Sequence, residues 1–317
     1  MKRLIVSAIA LSMCVLSVAA WADRQKVDET KTAASDGFVK IIVVRGRVKV
    51  DSWDKDKIQV TGLLDEKTEQ FIFDVDKSRT TIEVRLPTHE RDGWWHGQGS
   101  DLTVHVPKQS HLDVSLVSTD CQISGIDGST EASTVSGDLS VDNVKQRVNL
   151  VTVSGDVKLR HATGRVSVKS VSGDVSVYDS QGGFKLHSVS GDLIGHDVGD
   201  EFDLQSISGD VQMNNVDFKQ VSGSSVSGDV DIKGNMQPSG GVDLDSVSGS
   251  VKISLKGDVD ARFDLDAGNG SIRNGISNDK PQESRYTHNE TLQFVQGKGK
   301  GEVSISTRSG DITLERH

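Results

Sequence analysis

Behind an apolar leader the chain holds a single cysteine, Cys121, so no intramolecular disulfide can staple an exported form of it. Aromatic residues make up only 4% of the sequence and prolines number 4, which argues against a globular core built on aromatic clusters. There is no basic surplus either. Asp and Glu outnumber Lys and Arg by 46 to 36, and removal of Lys2 and Arg3 with the leader would deepen the formal charge of −10. A chain of this sign lacks the electrostatic footprint of a nucleic-acid binder or of a protein that docks on an anionic membrane. No cofactor motif is found, and no second apolar run of membrane-spanning length follows the leader.

What is present begins with that leader. Lys2 and Arg3 precede the apolar run Leu4 to Val18, and Ala20-Trp21-Ala22 forms an A-x-A cleavage site, so residues 1–22 read as a secretory signal peptide. The mature chain is expected to start near Asp23 and to be exported, periplasmic or extracellular. Met13 is too large to precede a lipidated cysteine, so Cys14 reads as an apolar residue of the leader.

Glycine is abundant, with 32 residues, and much of it is periodic. Val-Ser-Gly-Asp, once with Ile for Val, recurs so that Gly137, Gly155, Gly173, Gly191 and Gly209 lie 18 residues apart, with Gly228 following at 19 and Gly249 at 21. A fixed period of this kind marks a solenoid. After each corner the apolar residues alternate, as in Val157 and Leu159 or Val175 and Val177. A second alternating pair follows a polar corner, as in Val166 and Val168 or Phe184 and Leu186. Val153, Val171, Val189 and Ile207 give each repeat a third apolar point. Period-two alternation broken by glycine predicts short strands and excludes a helix. Such a unit buries its apolar face only by stacking on its neighbours, so the expected fold is all-β, a parallel β-solenoid (β-helix) with coils of about 18 residues.

The turn column comprises Gly137, Asp138, Gly155, Asp156, Gly173, Asp174, Gly191, Asp192, Gly209, Asp210, Gly228 and Asp229. Glycine there is expected to supply a positive φ and Asp to accept backbone N–H groups in an Asx-type turn. Thr152, Ser170, Ser188 and Ser206 are expected to form hydroxyl ladders up the stack. Calcium binding is the functional alternative for the Asp column. A calcium roll needs its Gly-Gly-x-Gly-x-Asp turn in both halves of the coil. The opposite corners (Asn143 to Gln146, His161 to Gly164, Asp179 to Gly182) carry no Asp column, so the turn reading is preferred and no metal site is expected. Cys121 falls on an inward strand position and is expected to be buried and inert.

Residues 23–107 form a less regular N-terminal β region, read as an atypical opening or cap, and residues 108–317 the solenoid repeat domain. Within the former, Trp94, Trp95 and His96 lie in a Gly-flanked stretch. Paired tryptophans there either cover the side of the solenoid or stack on a sugar or protein partner. His89, Glu90, Asp92 and His96 match no compact metal signature. After Gly249 the period loosens, residues 274–296 form a polar insertion, and Arg308 to Leu314 restores the repeat corner. The Gly297 to Gly301 run lacks the spacing of a phosphate loop.

Leu102-Thr103-Val104-His105-Val106-Pro107, the serial Val-Ser-Gly-Asp corners and the ending Ile305 to Ile312 together resemble the bacterial adhesin-like family of DUF4097 type, the β-strand repeat proteins. The resemblance covers most of the mature chain and brings no catalytic residues. It implies a non-catalytic interaction or adhesin-like module of the cell envelope, with an association to envelope-stress systems and an envelope protein or glycan as partner. The alternatives are a polysaccharide-acting β-helix enzyme and a self-assembling scaffold. Against the enzyme, 18-residue coils leave little room for catalytic loops, and the outward file Ser140, Lys158, Ser176 and Ile194 holds no acid pair.

Overall fold

The computed structural model describes residues 24–87, 98–284 and 289–317. The leader therefore lies outside the described residues, as do Trp94, Trp95 and His96. The opening strands are β1 (Lys26–Thr32), β2 (Phe38–Trp53), β3 (Lys57–Leu63), β4 (Gln70–Asp76), β5 (Arg79–Arg85) and β6 (Ser100–Pro107). The stack continues with β7 (His111–Ser124), β8 (Thr130–Thr134), β9 (Leu139–Thr152), β10 (Val157–Ser170), β11 (Val175–Ser188), β12 (Leu193–Ser206), β13 (Val211–Ser225) and β14 (Val230–Ser246). Last come β15 (Val251–Leu255), β16 (Ala261–Ala267), β17 (Ile272–Asn274), β18 (Gln282–Glu283), β19 (Glu290–Gln296), β20 (Gly301–Thr307) and β21 (Ile312–Arg316).

The expected parallel stack is present. Val157 pairs with Leu139 on one side and Val175 on the other, and Val175 with Leu193. The second alternating pair forms its own file, in which Val148, Val166, Phe184 and Phe202 follow one another and are all buried. Both files belong to one continuous apolar core. Each coil runs through its opposite corner as one bent strand, and the bend lies at Asn143, His161, Asp179, Asp197 and Asn215, with φ between 49 and 55°. These residue types tolerate the left-handed region best after glycine, so the bend recurs at the same step of each coil. Where β12 places Gly195 at a core position, Met213 of the next coil fills the gap, the use to which a flexible thioether is suited.

Three local expectations give way to a different geometry. Among the repeated corner glycines only Gly137 has a positive φ. The others are glycine because the corners stack backbone on backbone: a Cβ on Gly155 would lie 1.9 Å from the Gly137 carbonyl oxygen. The corner carboxylates do not close their own turns but reach the next coil. Asp156 Oδ1 accepts the Asp174 N–H at 3.0 Å, and Asp174 Oδ1 the Asp192 N–H at 2.9 Å. The hydroxyls, conversely, act locally. Ser170 Oγ accepts the Gly173 N–H at 2.9 Å and donates to the Gly173 carbonyl at 2.6 Å, and Thr152, Ser188 and Ser206 likewise hold Gly155, Gly191 and Gly209.

Both ends are interlaced. Strand β2 lies in parallel register on β7, Val48 opposite Cys121, while its other edge pairs with β5 and β6. Beyond these, β4 on β5 and β3 on β6 run antiparallel, and β1 closes on β3. At the far end β20 and β21 insert between the coil of β14 and β15 and the strands β16 and β17, which precede them in the chain. Strand β19 then covers β16 in antiparallel pairing, with Phe294 stacked on Phe263 at 4.4 Å. Short or charged antiparallel strands at each end blunt edges that would otherwise template further pairing. A buried ion pair fastens the N-terminal end. Arg45 binds both carboxylate oxygens of Asp65, which also accepts the Lys67 N–H at 2.9 Å.

Candidate functional site: a groove across the stacked coils

In-register stacking converts outward positions into straight files of side chains. One file runs Phe38, His111, Ser129, Arg147, Arg165, Gly183, Glu201 and Gln220, at one spacing of about 4.8 Å per coil. A parallel file carries Asp113, Glu131, Asn149, Ser167, Lys185, Asp203 and Ser222. Together they line an open groove of about 1410 Å³. Its floor is the outward face of the sheet whose inward face carries Val166, Phe184 and Leu186, so the buried file holds the groove residues in place.

The groove is chemically graded. At one end the exposed Phe38 ring stacks on His111 with centroids 5.1 Å apart. The Ser129 N–H donates to His111 Nδ1 at 3.1 Å, with Ser129 Oγ 2.8 Å from the same nitrogen, so the hydrogen of the neutral ring is on Nε2. In the middle, Arg147 and Arg165 stand exposed on adjacent coils, in register. Neither has a hydrogen-bond, ion-pair or ring partner among the described residues. Beside them Asn149 donates to Glu131 at 3.2 Å. Next in the first file is Gly183, where an added Cβ would meet nothing within 4 Å, leaving a notch beyond the arginines. At the far end the charges neutralise one another: Lys185 lies 3.4 Å from Asp203, and Lys219 3.7 Å from Glu201. His187 lies 4.0 Å from Asp203, and burial, outweighing that carboxylate, pushes its imidazole pKa down.

A second surface feature comes from the corners themselves. The third apolar point of each repeat faces solvent: Val117, Val135, Val153, Val171, Val189, Ile207, Val226 and Val247 are 39 to 50% exposed. Backbone bonds such as Ser172 N–H to the Val153 carbonyl, 3.0 Å, stack these corners into one aliphatic ridge. Contiguous apolar strips of a few hundred Å² on a monomer are often functional.

Cys121 is buried, and burial pushes its thiol up to about 12. His161 and His196 do not meet; each bonds its own aspartate, Asp142 at 2.7 Å and Asp197 at 2.5 Å. Among the described residues no three His, Cys, Asp or Glu side chains are grouped to hold a metal ion, and no helix is long and apolar enough to cross a membrane. The groove escaped sequence reading although its signal was available: Arg147 and Arg165 are separated by one repeat period.

No curated protein matches the chain. Solved structures do, at low identity. A protein from Bacteroides fragilis provisionally named an adhesin is 13% identical, with 93% of this chain and 99% of that one covered and a TM-score of 0.41. A provisionally named lipid-binding protein from Parabacteroides distasonis is 12% identical, covering 91% and 96%, with a TM-score of 0.48. A provisionally named cell-adhesion protein from Clostridium sporogenes is 12% identical, covering 92% and 100%, with a TM-score of 0.22. The family model described as Toastrack DUF4097 matches residues 25–194 and again 183–315, and with nearly the whole stack inside those two spans the chain belongs to that family.

Proposed function

We propose that this protein is an exported, non-catalytic interaction module of the bacterial cell envelope, adhesin-like in action, that holds an extended ligand along the groove. The observation that carries this reading is the groove itself: 1410 Å³ of open channel built from side chains at fixed steps on a rigid stack. Solenoids present extended concave surfaces because each repeat contributes the same outward positions. Interaction along the side of the stack also suits its ends, where among the described residues antiparallel strands such as β4 on β5 and β19 on β16 cover part of the parallel edge. Export follows from the leader read in residues 1–22, and a link to envelope-stress signalling belongs to the same reading. The Trp94, Trp95 and His96 stretch is proposed as a second contact.

A photoreactive amino acid at Ser167, in the groove, and one at Lys158, on the other sheet, test the assignment in intact cells. The expected result is a discrete adduct from position 167 that is missing from position 158. Equal labelling from both positions, or none from 167, would overturn it. Loss of one partner in a Trp94→Ala/Trp95→Ala variant would establish the second contact, and an unchanged set would remove it.

A further inference from the structure

The groove reading leaves the ligand class open, and the inference here rests on that reading and deepens it. We propose that the groove binds a linear anionic glycan, with Arg147 and Arg165 taking an acidic group of the chain and Phe38 stacking against a sugar ring. Three observations converge on this class.

The first is electrostatic. Two guanidinium groups on neighbouring coils, held in register and facing the same groove, repel one another, and no carboxylate of the described residues lies within ion-pair distance of either. The other groove cation, Lys185, is matched by Asp203, and the groove residue Glu201 is met by Lys219 from beside it. In a chain with a formal charge of −10, an unmatched arginine pair is complementary to an anion brought from outside. The planar fork of arginine suits carboxylate and phosphate, both of which it grips bidentately.

The second is the aromatic end. Phe38 is 57% exposed and is held by its stack on His111, so one ring face is fixed in the groove at no further cost in side-chain ordering. It lies three coil steps from Arg147, roughly 14 Å at the strand spacing. A ligand that touches both must therefore be an extended chain, not a lone anion. The third is the notch at Gly183, which gives space for a bulky ring immediately beyond Arg165.

The test uses the full mature chain and oligogalacturonate, a linear chain of uronates, as the probe in titration calorimetry at low salt. Its methyl ester serves as the neutral comparison, and oligoglutamate as an acidic peptide. The expected result is binding of oligogalacturonate at least tenfold tighter than of its ester or of oligoglutamate. Arg147→Gln/Arg165→Gln should weaken it at least tenfold, and Phe38→Ala several-fold, with thermal unfolding of both variants unchanged. Lysine at both arginine positions should restore part of the affinity. Failure to bind oligogalacturonate, equal binding of the ester, or equally tight binding of oligoglutamate would each overturn the glycan assignment. An adduct from position 167 in cells together with any of those failures would leave the groove as the interaction face and remove only the ligand class. Absence of the adduct would remove the groove reading itself.

Discussion

Gly173 sits directly over Gly155, so close that a Cβ on the former would lie 2.0 Å from the carbonyl oxygen of the latter. The obstacle is backbone, fixed by the coil below, and cannot swing aside. Gly173→Ala should therefore destabilise the fold by about 3 kcal/mol or more, at or above the usual cost of overpacking. Gly183→Ala, with nothing near its Cβ, should change stability by less than about 0.5 kcal/mol. Urea unfolding of the two variants checks the contrast, and equal effects would count against corner-on-corner stacking.

The exposed valine ridge gives a second contrast. Val171 and Leu186 are both apolar residues of the same coil, yet Val171 is 43% exposed and Leu186 fully buried. Val171→Ser should shift stability by no more than about 0.5 kcal/mol. Leu186→Ala should cost about 2–5 kcal/mol through lost burial and the cavity left behind. Denaturant midpoints for the pair decide between ridge and core.

How far the sequence was legible follows from which interactions are periodic. Val157, Val175 and Leu193 announce a shared file because each repeats its neighbour after 18 residues, and the structure pairs them so. Val171 carries the same local apolar signal but lies at a corner, where the chain turns it outward; alternation alone cannot tell a corner from an inward step. The Asp174 bond to the Asp192 N–H joins different coils, whereas an Asx turn would be local, and composition does not separate them. The pairing of β2 with β7, and of β21 between β15 and β17, spans 40 to 73 residues without a repeat interval to reveal it. Of the candidate site, the arginine pair was readable from its 18-residue separation, whereas the lack of an ion-pair partner for either was not. Trp94, Trp95 and His96 stand as a proposal outside the described residues.

Asp65 gives a pH dependence. Burial by itself would raise its pKa, but hydrogen bonds from Arg45 and from the Lys67 N–H outweigh burial and hold the carboxyl below its ordinary 3.8. A group whose folded pKa is depressed stabilises the fold fully above its unfolded value, and that contribution is lost as pH falls through the folded value. Asp65→Asn should accordingly be less stable than wild type by about 3 kcal/mol at neutral pH, since it breaks the buried Arg45–Asp65 ion pair. The gap should narrow only below pH 3.8. Unfolding curves of both proteins across the acid range measure this, and a gap already closing near neutrality would contradict the assignment.

Cys121 should be silent while the fold is intact. Its thiol is buried against the β2 coil, and burial pushes it up to about 12, so thiolate is scarce as well as shielded. Iodoacetamide should fail to label the native protein over hours and label it within minutes in denaturant. Rapid native labelling would place Cys121 at the surface.

The coils lie one above another in the stated order, which alone brings Arg147 beside Arg165. Spin labels at Lys158 paired in turn with Lys252, Thr313 and Arg273 measure that order by pulsed electron resonance. These partners sit five, six and seven coil steps from Lys158, although Arg273 precedes Thr313 in the chain. The three distances should rise in that sequence by about 4.8 Å per step, from roughly 24 Å. Distances that do not rise stepwise, or that place Arg273 nearer than Thr313, would contradict the stack.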